Sequence, residues 1–149
     1  MEKTISITSL DHMEKLAHHI ASYVKPGFLI GLEGDLGAGK TTFTQFLGRA
    51  LGIKERINSP TFTILKIYDH DLPLYHIDAY RLTDDFSDYD LEEYFESNGV
   101  CVVEWYKNIL SVMPNNKLSI HIKWEDNEKR LVILEGSGYY ETLIKTFSD

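Results

Sequence analysis

The sequence predicts an α/β domain whose mixed sheet is parallel at its centre, antiparallel at its edge and flanked by helices. Two observations carry this. Phe28–Leu32 and Val100–Val103 are continuously apolar, as strands of a parallel sheet are when both of their faces are covered. Leu118–Trp124 and Arg130–Leu134 instead alternate across Glu125-Asp126-Asn127-Glu128, the pattern of an antiparallel hairpin with one wet face.

The remaining elements fall into place around these runs. Ile5 and Ile7 share one side of a short strand, Thr4–Thr8. Thr8 or Ser9 can cap the helix that follows, whose apolar positions are Leu10, Met13, Leu16, Ala17, Ile20 and Tyr23. Pro26-Gly27 stops it. A second helix, Thr41–Leu51, carries Phe43, Phe46, Leu47 and Ala50 at helical spacing and stops near Gly52. Thr61–Tyr68 is rich in β-branched and aromatic residues and reads as a strand, as does Leu72–Asp78. Residues 84–96 hold seven acids, with one or two helical turns at Leu91–Phe95. A short helix is predicted over Tyr106–Val112 and a closing helix over Tyr139–Phe147.

Composition bounds the function. The 149 residues suffice for one domain, 1–149, and not two. A net charge of -8 lacks the electrostatic footprint of a stand-alone nucleic-acid binder. The lone Cys101 excludes an internal disulfide framework and a multi-thiolate zinc site. No apolar run reaches the length of a membrane span, and the N-terminus lacks a signal peptide's apolar segment. A cytoplasmic protein is the expectation.

Chemistry enters at Gly34-Asp35-Leu36-Gly37-Ala38-Gly39-Lys40-Thr41, which fits G-x-x-x-x-G-K-[ST] at every fixed position. Such a loop wraps a diphosphate with successive backbone N–H groups, and glycine allows the angles and the close approach. The helix behind it turns its positive end to the phosphates. By composition alone the pattern arises in roughly one chain of this length in two hundred. Here it also follows a buried-type strand and opens a helix, which a glycine-rich turn alone need not do. The domain is therefore read as P-loop NTPase-like. The dinucleotide pattern G-x-G-x-x-G does not occur. Asn116-Lys117-Leu118-Ser119 lacks the acid of the guanine-reading N-K-x-D, and D-x-x-G is absent, so ATP is the expected nucleotide.

A phosphate loop needs acids to hold Mg²⁺ and place the attacking water. Asp78 and Glu104 stand at the carboxyl ends of strands expected beside the loop strand. Arg81 can meet a phosphate or pair with Asp84 or Asp85. His76 reads equally as a buried hydrogen-bonding histidine or a functional one. His18 and His19 show no ligand spacing, Trp105 is core or site, and Cys101 is a small buried hydrophobe.

Four segments in order make the chain recognisable: Gly34–Thr42, Asn58-Ser59-Pro60-Thr61-Phe62-Thr63, Tyr75-His76-Ile77-Asp78-Ala79-Tyr80-Arg81-Leu82 and Val103-Glu104-Trp105. Together they closely resemble the TsaE family, small bacterial P-loop ATPases required for threonylcarbamoyladenosine modification of tRNAs that read codons beginning with adenosine. The resemblance covers nearly the whole chain. It implies that Leu36, Gly37, Ala38, Gly39, Lys40, Thr41 and Thr42 cradle ATP, with Lys40 on the phosphates and Thr41 and Glu104 on Mg²⁺. It implies that Asp78 is needed for hydrolysis, that Ser59–Phe62 is a switch-like loop near the γ-phosphate, and that Trp105 lies beside the site. Its implied partner is the TsaB–TsaD heterodimer, which ATP hydrolysis resets between turnovers, with no strong direct binding of tRNA. The chain departs from many members after Tyr80-Arg81, where Asp84-Asp85-Phe86-Ser87-Asp88-Tyr89 replaces an Asp-Pro-Glu-Glu type helix. A small-molecule kinase is the alternative enzyme, although Arg49, Arg56, Arg81 and Arg130 are few for clamping a transferred phosphoryl group. A nucleotide-dependent interaction module with negligible turnover is the alternative outside catalysis.

Overall fold

The computed structural model describes residues 1–58, 63–82 and 91–148. Its strands are β1 (Glu2–Ile7), β2 (Phe28–Glu33), β3 (Leu65–Tyr68), β4 (Leu74–Asp78), β5 (Val100–Glu104), β6 (Leu118–Asp126) and β7 (Lys129–Glu135). Its helices are α1 (Leu10–Ala21), α2 (Lys40–Ala50), α3 (Glu92–Phe95) and α4 (Tyr139–Thr146), with a 3₁₀ stretch at Tyr106–Val112.

These strands form one sheet in the order β1-β7-β6-β2-β5-β4-β3. The central four, β6, β2, β5 and β4, are parallel, and antiparallel pairing occurs at both edges. Apolar content follows position. All five residues of β5 are buried, as are the first five of β2, because helices and loops cover both faces. One face packs Phe28, Ile30 and Leu32 with Leu16 and Ile20 of α1, Phe43 and Leu47 of α2, and Leu143 and Ile144 of α4. The other face packs Leu29, Cys101 and Val103 with Phe95, Tyr106 and Ile109. Gly31 permits this second layer, since a Cβ there would stand 2.8 Å from the Tyr106 ring.

Several expectations are corrected. Ser9, rather than Thr8, caps α1, accepting from the His12 N–H at 3.1 Å. α1 ends at Ala21, so Tyr23 lies beyond it, and Leu10 is exposed. Within the described residues β3 begins at Leu65 rather than Thr61. Among the described residues it pairs with β4, and that ladder ends where Leu65 meets Ile77. β4 itself begins at Leu74 rather than Leu72. The predicted short helix is 3₁₀ and breaks at Ile109. The hairpin turn is tighter than expected: Asn127 adopts φ +49, which asparagine tolerates, and the strands run on to Asp126 and from Lys129. No described helix is long and apolar enough to cross a membrane.

The topology also revises where the acids stand. β5, carrying Glu104, lies directly beside β2, but β4, carrying Asp78, is one strand further out. The two residues nevertheless face each other in register across β4 and β5.

Candidate functional site

The glycine loop leaves β2 after Glu33 and enters α2 at Lys40. Gly37 and Gly39 hold φ of +81 and +115, left-handed angles that side chains resist. Gly39 occupies the N-cap of α2, and no described side chain caps that end. The first-turn N–H groups of a helix lack intrahelical acceptors, so this end presents donors and positive potential to the loop. A second clamp comes from across the sheet. Arg130 Nε on β7 donates to the Ala38 carbonyl at 2.7 Å, while its Nη1 donates to the Asn127 carbonyl at 2.8 Å.

Lys40 is buried by the fold around it. Its Nζ donates to the Gly34 carbonyl and, at 3.3 Å, to that of Asp35, and lies 4.1 Å from the centre of the Trp105 ring. Burial lowers the lysine's pKa, against the opposing pull of Glu104, Glu33, Asp78 and Asp35. The amine is thus a desolvated cation held by weak acceptors, a state that suits a strong anion.

Facing the loop is the acidic wall. Burial raises the Asp78 carboxyl, opposed by a 2.9 Å hydrogen bond from the Tyr80 N–H to Oδ1. Glu104 is buried, and its Oε2 lies 2.5 Å from His76 Nε2. The contact joins one imidazole nitrogen to one carboxylate oxygen of the buried pair. His76 Nδ1 meets no partner among the described residues. Trp105 turns the chain out of β5 with φ +58, and its N–H donates to the Leu32 carbonyl at 3.0 Å. Tyr80 leans on the Trp105 indole with ring centres 5.0 Å apart.

Together these groups enclose a cleft of about 330 Å³. Leu36, Gly37, Gly39, Lys40, Thr41 and Thr42 form one wall, and Asp78, Tyr80, Arg81, Glu104 and Trp105 the other. Ala38 is the exception in the loop: its side chain is buried and faces away from this cleft, leaving only its backbone to contribute. Cys101 is buried in the core, which pushes its thiol pKa up. His18 is exposed, and His19 Nε2 contacts the Leu143 carbonyl at 2.8 Å. Ser59–Phe62 and the suggested Arg81 partners Asp84 and Asp85 lie outside the described residues. So does most of the acidic run, although Glu92, Glu93 and Glu96 are exposed.

Sequence reasoning missed two contributors. Glu33 ends β2 just before the loop; burial raises its carboxyl, while Oε2 accepts from the Lys107 N–H at 3.2 Å. Its position at the carboxyl end of the loop strand was the available signal. Arg130 gave no such signal, because its link to Ala38 spans 92 residues and depends on the hairpin's register.

Fold and cleft together define a P-loop-like α/β domain. The family model described as threonylcarbamoyl adenosine biosynthesis protein TsaE matches residues 7–132, and the chain belongs to the TsaE family. It is 45% identical to the tRNA threonylcarbamoyladenosine biosynthesis protein TsaE of Bacillus subtilis, over 93% of this chain and 89% of that protein. It is 41% identical to the protein of the same name from Treponema pallidum, over 70% of this chain and 78% of that one. The crystal structure of Bacillus subtilis YdiB superposes with a TM-score of 0.84 at 38% identity, covering 97% of this chain and 93% of that chain. Proteins of this family take part in tRNA threonylcarbamoyladenosine biosynthesis.

Proposed function

We propose that this chain is a cytoplasmic subunit that binds ATP with Mg²⁺ and hydrolyses it slowly. In doing so it supports threonylcarbamoyladenosine modification of tRNA by acting on the TsaB–TsaD complex. The observation that carries the reading is the convergence of Lys40, Asp78 and Glu104 on one cleft beside a helix N-terminus.

The residues fit the ligand. Lys40 exchanges two carbonyl acceptors for phosphate oxygens, and the amides of Leu36–Thr42 receive the rest. Thr41 and Glu104 would hold Mg²⁺, which when bound neutralises charge on the phosphates. No described group of three or more His, Cys, Asp or Glu residues could hold a metal. Mg²⁺ does not need one, since it is commonly held by one or two protein oxygens with phosphates and water. Asp78 has one carboxylate oxygen bound to the Tyr80 N–H; the other would orient the attacking water and take its proton. His76 keeps the Glu104 carboxylate in one orientation. The net charge of -8 favours a protein partner over direct tRNA binding.

The test is Mg²⁺-dependent phosphate release, measured with and without TsaB–TsaD. It is paired with calorimetry of the association in ATP-analogue, ADP and nucleotide-free states. The reading expects slow turnover alone, faster turnover with the heterodimer and an affinity that depends on the nucleotide. Absence of binding in every state would overturn it and promote the kinase alternative.

A further inference from the structure

The carboxylate of Asp78 is aimed by a backbone group. Its Oδ1 accepts from the Tyr80 N–H at 2.9 Å. That N–H belongs to the same trans peptide unit as the Ala79 carbonyl, and the two ends of such a planar unit point in opposite directions. Fixing the carbonyl therefore fixes the donor. A side chain does this from across the site: Asn108 Nδ2 donates to the Ala79 carbonyl at 2.9 Å and to the Tyr80 carbonyl at 3.2 Å. Both partners are carbonyl oxygens, which only accept, so the amide nitrogen is the atom that must face them. The Leu82 N–H also reaches the Ala79 carbonyl, at 3.0 Å, and closes the turn.

Asn108 is in turn tied to the other acids. It is half-buried on the 3₁₀ stretch, and its own N–H donates at 3.0 Å to the carbonyl of Trp105, one residue past Glu104. The Lys107 N–H beside it donates to Glu33 Oε2 at 3.2 Å. Residues 107 and 108 thus fasten the ends of β2, β5 and β4 to one short segment. Such a brace has work to do, because Asp78 and Glu104 face each other in register and like charges push apart.

We propose that Asn108 is a positioning residue for ATP hydrolysis: through the Ala79–Tyr80 peptide it holds the Asp78 carboxylate where it orients the attacking water. This role rests on the ATP reading above and adds a residue that lines neither wall of the phosphate cleft. The bonds run in series from the Asn108 amide, through the peptide, to Oδ1, and each polarises the next. Without the first bond the peptide is free to rock. A small displacement of a catalytic group costs rate far more than it costs ground-state affinity.

The experiment measures Mg²⁺-dependent phosphate release by the full-length chain, Asn108→Leu, Asn108→Ala, Asp78→Asn and the double variant Asn108→Leu with Asp78→Asn. Thermal melts first establish which variants are folded. Leucine keeps the volume of the side chain without its donors, and alanine removes the donors without adding bulk. Either change should lower kcat about tenfold and leave KM for ATP nearly unchanged. In the Asp78→Asn background, Asn108→Leu should cost almost nothing more, because the carboxylate it positions is already gone. A folded Asn108 variant with wild-type kcat, a loss carried by KM, or equal losses in both backgrounds would overturn the proposal. So would failure of both single variants to fold, which would make Asn108 a support of the fold alone. A wild-type chain without hydrolysis would instead remove the ATP reading, and with it the reaction that Asn108 serves.

Discussion

His76 Nε2 and Glu104 Oε2 lie 2.5 Å apart, and both side chains are withdrawn from water. Removing the imidazole leaves a buried carboxyl group without that partner. His76→Ala should therefore lower stability by roughly 1–3 kcal/mol. Urea denaturation of His76→Ala, Glu104→Gln and the double variant checks this. Additive losses would show that the two side chains are not coupled.

Lys40→Ala should fold, since the amine is desolvated and bonds only to loop carbonyls. Its ATP hydrolysis should fall by on the order of 10²-fold, because the cation aimed at the phosphates is gone. Phosphate release at saturating Mg²⁺ is the measurement, and wild-type turnover would remove the phosphate role of this lysine.

Asp78→Asn and Glu104→Gln should suppress hydrolysis by about 10²-fold while leaving the ATP dissociation constant within severalfold. Turnover demands an accurately placed metal and water, whereas binding draws on the loop amides. Single-turnover kinetics beside equilibrium binding separates the two. Unchanged Mg²⁺-dependent turnover in both variants would return these acids to a structural role.

Arg130→Met should loosen the loop from behind, since Arg130 bonds the Ala38 carbonyl and does not itself line the cleft. ATP and inorganic tripolyphosphate, which has the phosphates and no base, should then weaken together, by about tenfold for the lost charge-assisted hydrogen bond to the loop. Calorimetry with both ligands tests this, and a loss confined to ATP would assign Arg130 to the base instead.

His121 supplies a pH dependence. Burial lowers its pKa, with the Lys107 charge acting in the same direction. The unfolded chain then binds more protons than the folded one as pH falls below about 6.5. The stability contribution is present above that value and lost on acidification. Thermal melts from pH 7.5 to 5 should show a shallower decline for His121→Asn than for wild type, and identical slopes would contradict the assignment.

The sequence made the centre of this molecule legible because burial on both faces leaves no room for polar residues: β2 and β5 announce themselves as apolar runs. The glycine loop was legible for a related reason, since its backbone angles restrict composition. The edge was harder. Among the described residues the β3 ladder starts at Leu65, although the Asp78 N–H still donates to the Ile64 carbonyl at 2.8 Å, and the β-branched composition of the segment does not reveal where regular pairing begins. Asp78 and Glu104 were found from their places at strand ends. The order β2-β5-β4 was not, because strand order is decided by packing rather than by local pattern. Arg130 became visible only once the hairpin register put it beside the loop.

Leu32, Glu104 and Asp78 occupy one rung of the sheet. Their main chains are therefore spaced by the interstrand repeat, about 4.8 Å per step. Substitution at a surface or in a helix cannot alter that gauge. What remains adjustable is reach: a glutamate extends from the nearer strand and an aspartate from the farther one. Exchanging the two lengths, as Glu104→Asp with Asp78→Glu, would keep every charge and move each carboxylate by about one carbon–carbon bond, roughly 1.5 Å. The domain would then fold around a cleft of unchanged charge and altered geometry.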